Sequence, residues 1–253
     1  MKLQFLGSGT AFTSLHENFN SNMAFFSDTG RCLMIDCGSD ARHSTAALNL
    51  GYKDFDAIFI SHLHADHAGG LEWMGLTRKF DPTATKPKLV IHPSMVTPLW
   101  EHVLCGGLQT IKEQACDLET FFDLYPLIDD THFIWENIPF ELVQTIHIFH
   151  NHTLVPSYGL FFKANKTNIF LTTDTQFEPD RYMIYYEKAD IIFHDCETTA
   201  FKSSVHAHYT DLMTLPPHIR AKMWLYHYLD TKLFDPLAHG FLGFVKRGQS
   251  FTF

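Results

Sequence analysis

Short apolar runs alternate with polar, glycine-marked breaks along nearly the whole chain, the pattern of buried strands joined by helices and turns. Residues 3–6, 23–26, 32–35 and 57–60 are apolar or alternating stretches bounded by Gly, Asp and Asn, and read as strands. Between the last two, residues 39–50 read as a helix with Ser39 or Asp40 as its cap and Gly51 as its stop. A second helix is predicted over 71–80, ended by Asp81-Pro82, followed by a strand over 88–92 and helical turns over 96–104 and 118–122. The second half repeats the rhythm. A strand is predicted over 140–148, a hairpin from 158–163 and 168–172, and strands over 189–195 and 223–227, with a helix over 210–223 interrupted by Pro216-Pro217. Two comparable halves of strands with helices outside them suit one α/β domain over residues 1–253, a four-layer αββα sandwich with its site at one sheet edge.

Directly after the apolar run 56–60 stands Ser61-His-Leu-His-Ala-Asp-His-Ala-Gly-Gly70, which sets His62, His64, Asp66 and His67 within six residues. Imidazole nitrogens and carboxylates bind transition ions at about 2.0–2.2 Å, so four such side chains suit a metal site on a strand-to-helix turn. In extended backbone, residues two apart project to the same side, so His62 and His64 can share one ion. The turn that follows can direct Asp66 and His67 at a second. The chain has 17 histidines, so any single one is by default a packing or surface residue. Clustering after a buried strand changes that, because so many desolvated polar groups without an ion would be costly. Two ions a few ångströms apart are the arrangement that hydrolyses phosphoesters and some amides.

The run His62-x-His64-x-Asp66-His67 resembles the signature of the metallo-β-lactamase fold superfamily of di-metal hydrolases, and the resemblance continues over nearly the whole chain. Met1-Lys-Leu-Gln-Phe-Leu-Gly-Ser-Gly-Thr10 is similar to its first strand and glycine turn. Leu33-Met-Ile-Asp-Cys-Gly38 is similar to its strand ending in Asp-x-Gly, where Asp36 supports the histidine loop from behind. The resemblance implies the αββα sandwich of that superfamily. It also implies that Asp174, after Ile-Phe-Leu-Thr-Thr, bridges both ions, and that His227, after Trp-Leu-Tyr, is the last ligand of the second. For the third histidine of the first ion, His147, His150 and His152 compete. Thr145-Ile-His147 with Pro156-Ser-Tyr-Gly159 further on is most similar to the relatives' pattern, which favours His147, with His152 as the alternative. In RNase Z-like members a histidine about twenty residues ahead of the final ligand, oriented by an acidic residue, is the proton donor. His206 matches that distance best and His208 is the alternative, close to His194-Asp-Cys-Glu197. The implied metal ligands are therefore His62, His64, Asp66, His67, His147, Asp174 and His227. The implied catalytic residues are Asp66, orienting a metal-held hydroxide, and His206, protonating the oxygen that departs from phosphorus. Asn18, Asn20, Ser21 and Asn22 read as turn-building residues.

The ligand set lacks cysteine and Asp174 offers a bridge, which favours a phosphodiesterase over a lactamase or glyoxalase-like thioesterase. RNase Z carries a long arm between its Tyr-Gly strand and its bridging aspartate, whereas Asp174 here follows Gly159 by only fifteen positions. The resemblance thus narrows to arm-less, RNase Z-like phosphodiesterases, including cyclic-nucleotide phosphodiesterases and the anti-Pycsar-like phage enzymes that degrade cyclic pyrimidine mononucleotides. It implies a small phosphodiester substrate, a homodimer, and two divalent metal ions, zinc first with manganese or iron as alternatives. A tRNA 3′-end endonuclease and a non-catalytic metal-binding module are the competing readings. The formal charge of −9 counts against tRNA, because polyanion binding relies on lysines and arginines. There is no run of about 20 apolar residues and no basic start leading into a long apolar stretch, so a cytoplasmic protein without a membrane span is expected. Five cysteines without Cys-x-x-Cys spacing read as buried free thiols. The 24 phenylalanines, several of them in 240–245 and 251–253, read first as a thick core and second as a dimer surface.

Overall fold

Strands β1 (Lys2–Phe5), β2 (Met23–Phe26), β3 (Cys32–Ile35), β4 (Ala57–Phe59), β5 (Lys88–Val90) and β6 (Asp123–Tyr125) lie side by side in chain order. Pairing is antiparallel from β1 to β3 and parallel from β3 to β6. The computed structural model describes residues 1–14, 18–229 and 231–253. A second sheet begins with β7 (His132–Trp135) and β8 (Ile138–Gln144); after a small ladder of β9 (Phe149–His150) and β10 (Thr153–Leu154) it continues with β11 (Tyr158–Ala164) and β12 (Thr167–Leu171). Strands β13 (Ile191–Asp195), β14 (Met223–Tyr226) and β15 (Gly243–Phe244) extend it in parallel from β12. The chain then crosses back, and β16 (Ser250–Thr252) pairs antiparallel with β1, bringing each sheet to seven strands.

Side-chain alternation explains why the sheets are covered on both faces. In β12, Ile169 and Leu171 enter the core between the sheets, while Phe170 faces a second cluster containing Tyr182 and Tyr186. β13 repeats this with Phe193 inward and Ile192 outward, and β14 with Tyr226 inward and Met223 and Leu225 outward. Strands apolar on both faces must be covered twice. Helices α1 (Ala41–Ala46), α2 (Ala65–Ala68), α3 (Leu71–Phe80), α4 (Pro93–Pro98) and α5 (Cys105–Leu108) belong to the first half, and α6 (Pro179–Lys188), α7 (Tyr209–Leu212) and α8 (Pro217–Arg220) to the second. The result is the expected αββα sandwich.

Much of the inner core is phenylalanine. Phe140 on β8 meets Phe25 at 5.9 Å between ring centroids, Phe133 at 4.7 Å and Phe162 at 4.7 Å, so it joins both sheets. Phe140→Ala is expected to cost about 3–5 kcal/mol of stability, because the cavity cannot close between two rigid sheets. Denaturant unfolding monitored by circular dichroism checks this, and a loss below about 1 kcal/mol would mean that the sheets repack freely. The C-terminal phenylalanines also serve internal packing. Phe251 contacts Phe5 at 6.0 Å, Phe193 at 4.8 Å and Trp224 at 5.2 Å, and Phe241 is buried.

Several predicted elements differ in detail. The helix expected over 39–50 ends at Ala46, because Asn49 takes a left-handed conformation (φ +58°), and the Asp40 carboxylate accepts from the Asn20 N–H at 2.8 Å instead of capping the helix. Helical backbone starts earlier than predicted, at Pro93 behind an His92 cap, and passes through a π-helical turn (Leu99–Leu104) into α5. Only Leu118–Thr120 of the turn predicted over 118–122 is helical, as a 3₁₀ turn. The strand expected over 140–148 is β8, which starts two residues earlier and ends four residues earlier, at Gln144. The helix expected over 210–223 is split into α7 and α8 around the two prolines. All five cysteines are free, but Cys105 and Cys116 are half-exposed where burial was expected.

Candidate metal centre

Strand ends build the site. The parallel register sets Leu171 beside Phe193 and Asp195 beside Tyr226, so the carboxyl ends of β12, β13 and β14 finish together. Crevices at such ends are where open α/β sheets bind ligands. Asp174 follows β12 after Thr173 (φ +52°), Asp195 ends β13, and His227 follows β14 (φ +60°). From the first sheet, β3 leads into Asp36 (φ +60°), and β4 leads through Ser61 to His62. The Asp36-Cys-Gly38 turn needs its glycine, since a Cβ at Gly38 would fall on the Asp66 carbonyl. Asn20, Ser21 and Asn22 are buried, and Asn22 supports this turn, its Oδ1 accepting from the Gly38 N–H at 2.8 Å.

The donors converge in two overlapping groups, His62, His64, His147 and Asp174, and Asp66, His67, Asp174 and His227, each with its ligand atoms within 4.8 Å of one another. His62 Nε2 lies 3.0 Å from His64 Nδ1, and His147 Nε2 lies 3.2 Å from the same atom. Asp174 Oδ2 is 3.8 Å from His62 Nε2 and 3.3 Å from His67 Nε2, while its Oδ1 is 3.2 Å from His227 Nδ1. All are buried except His64. Second contacts aim these rings. His67 Nδ1–H donates to Asp36 Oδ2 at 2.7 Å, and Asp36 also accepts from the Ser61 N–H and Oγ at 2.8 Å each. His147 Nδ1–H donates to the Val205 carbonyl at 2.7 Å, which leaves Nε2 facing the cluster.

Charge and orphaned atoms test whether a cation fits here. Burial pushes the His62, His64 and His147 imidazoles down, so they are neutral and keep lone pairs to offer. Burial alone would also lower His67, but the carboxylates of Asp174, Asp66 and Asp36 outweigh it and raise that imidazole. Burial would raise Asp174, yet His227 and His67 hold it well below the usual carboxylate range. Three buried carboxylates around one imidazole require positive charge. The buried Nε2 atoms of His67 and His227 have no hydrogen-bond partner, although Asp66 Oδ2 lies 3.2 and 3.6 Å away. Such donors, close but not bonded to one another, suit divalent metal ions, and the residues present fit them.

The competing histidines have different surroundings. His152 lies exposed in the turn between β9 and β10 and His150 is exposed on β9, both outside the donor groups. His208 caps α7: its Nδ1 is 2.8 Å from Thr210 Oγ1 and its Nε2 is 3.0 Å from the Thr199 carbonyl. His206 instead faces the cluster, its Nδ1 2.8 Å from Asp195 Oδ2 and 4.0 Å from Asp174 Oδ2. Burial disfavours its charged form, but Asp195 prevails and lifts the imidazole to about 9. Sequence reasoning did not pick out Asp195 as this partner, though its place at the end of an apolar run was a usable signal. It singled out Glu197 in the same run without giving it a role; its Oε2 accepts from the Ser203 N–H at 2.9 Å and so ties down the loop carrying His206. The donors open into a cavity of about 420 Å³, a size suited to a small molecule.

Among solved structures, the metallo-β-lactamase fold protein YhfI from Bacillus subtilis superposes with a TM-score of 0.74 over 99% of both chains at 17% identity. With the sandwich described above, this defines the class as a protein of metallo-β-lactamase fold, here with a cluster of donors that fits metal ions. The family described as anti-Pycsar protein Apyc1 matches residues 1–251. Two proteins of that description are similar to the chain. That of Paenibacillus harenae is 35% identical over 233 residues, 91% of each chain, and that of Bacillus phage vB_BsuM-Goe3 is 32% identical over 241 residues, 90% of this chain and 89% of the phage protein. The chain belongs to the anti-Pycsar protein Apyc1 family. No helix among the described residues is long and apolar enough to cross a membrane.

Proposed function

We propose that this protein is a di-metal phosphodiesterase that opens small cyclic phosphodiesters of the 3′,5′-cyclic nucleotide type. The observation that carries the reading is one buried carboxylate, Asp174, common to two four-donor groups, with the His206–Asp195 pair beside it. The first ion would be held by His62, His64, His147 and Asp174, and the second by Asp66, His67, Asp174 and His227. When bound, such ions lower the pKa of water and offset charge on the phosphoryl oxygens. Asp66 would orient the attacking water by accepting its hydrogen bond. His206 would give its Nε2 proton to the ribose oxygen as the P–O bond breaks, with Asp195 holding the ring from Nδ1. Water adds across that bond and a nucleoside monophosphate results.

The membership of the Apyc1 family supports a cyclic-nucleotide substrate, as does a cavity whose described lining includes no lysine or arginine. A polyanion finds little to grip there, and β11 and β12 are joined directly at Ala164 and Thr167 with no arm between them. The same reading takes zinc as the first metal to test and a cytoplasmic homodimer as the working form. Sedimentation velocity reads the mass. Turnover of cyclic nucleotides and bis-p-nitrophenyl phosphate should vanish with a chelator and return with zinc or manganese, and elemental analysis should count two metals per chain. Metal-loaded protein that leaves cyclic nucleotides intact, or that cleaves a tRNA precursor instead, would overturn the proposal.

A further inference from the structure

Phe12 leaves 85% of its surface exposed, yet it lines the cavity that contains the metal donors. The turn carrying it is anchored. The Thr13 N–H donates to the Thr10 carbonyl at 3.1 Å, Asn20 Nδ2 donates to the same carbonyl at 3.1 Å, and Ser21 Oγ donates to the Gly9 carbonyl at 2.9 Å. Asn20 and Ser21 are buried, so the turn rests on fixed groups. A phenyl ring left in water forfeits what burial would supply, and a fixed turn offers it as a surface to whatever enters.

The rest of the cavity narrows what that is. Ala11, Ile148, Val205 and Leu229 add further carbon to the lining; its ionisable side chains are the metal donors, His206 and Glu197, and Glu197 is turned to the Ser203 N–H. Among the described lining residues there is no lysine or arginine for a second phosphate. A ligand with one anionic group among the donors therefore lays its remaining bulk against carbon, and a flat aromatic ring is what an exposed phenylalanine receives best.

Resting on the phosphodiesterase reading of the site, we propose that Phe12 is a substrate-binding residue that stacks on the planar ring of a singly charged cyclic diester. Its contribution is to binding and not to bond breaking, so it is read in KM. The test compares Phe12→Ala, Phe12→Leu and Phe12→Trp with wild type in the metal-supplemented full chain. The substrates are a 3′,5′-cyclic nucleotide and the 3′,5′-cyclic phosphate of ribose without a base.

For Phe12→Ala the expected result is a rise of about 5- to 150-fold in KM for the nucleotide, the range that loss of one base–aromatic stack gives. kcat should hold, the baseless diester should be unaffected, and Trp but not Leu should restore binding. An unchanged KM overturns the proposal, as do equal losses on both substrates or rescue by Leu. A fall in sedimenting mass with Phe12→Ala also overturns it, since the ring would then belong to a contact between subunits. Wild-type protein that cleaves neither diester overturns the phosphodiesterase reading and this proposal together. Normal wild-type turnover with an indifferent Phe12→Ala overturns this one alone.

Discussion

Replacing Asp174 with alanine is expected to cut hydrolysis by about a thousandfold or more and to strip the bound metal. Among the described residues, Asp174 is the side chain common to the two four-donor groups. Its Oδ2 sits 3.8 Å from His62 Nε2 and 3.7 Å from His147 Nε2 on one side, and 3.3 Å from His67 Nε2 on the other. Without it, the remaining donors form two incomplete sets, and the His67 imidazole loses the strongest of the charges that hold its proton. Elemental analysis and thermal unfolding with and without added metal check this together. Wild type should unfold at higher temperature with metal by mass action, and the variant should not. A variant that keeps two metals and loses no more than about tenfold would make Asp174 a supporting partner rather than a ligand.

Truncating His206 to alanine is expected to lower kcat by about 10²- to 10⁴-fold on a cyclic nucleotide, the usual worth of a positioned acid. The loss should be much smaller on bis-p-nitrophenyl phosphate, because p-nitrophenolate departs without needing a proton. Asp195 gives the pair a signature in pH. Burial works against the charged His206 ring, and the Asp195 carboxylate outweighs it, which places the group at about 9. The acid form is therefore present at neutral pH and is lost as pH rises through that value. Asp195→Asn removes the main raising charge, so the group's pKa falls and the alkaline limb of kcat/KM should move to lower pH. A limb that stays in place while kcat collapses would assign the loss to disturbed packing.

The elements legible in the sequence are those whose pattern depends on local chemistry. The helix Leu71–Phe80 matches its reading to the residue, since an apolar face and an Asp-Pro stop define it without outside help. The hairpin of β11 and β12 was equally readable from two apolar runs around a polar turn. Helix α6 was not read, although Pro179 at its first turn and Tyr182 and Tyr186 one turn apart mark it. Its aromatic, charged composition carries little helical signal until Phe170 and Ile192 give those tyrosines something to pack on. Strands β6 and β7 were missed because they are short and edge-placed, with exposed residues interrupting the alternation. At the site, the cluster from His62 to His67 announced itself because one turn contains it. Spacing put His206 ahead of His208 but could not show their partners, since one ring meets Asp195 and the other meets Thr199 and Thr210.

The donors come from distant parts of the chain, His62 after a strand of the first sheet and His227 after a strand of the second. No fragment that stops within the strand Met223–Tyr226 contains them all, so the full donor set assembles only once that strand has docked beside β13. Metal affinity would therefore report on completed assembly, and a nascent chain would remain inert until His227 has been made and docked.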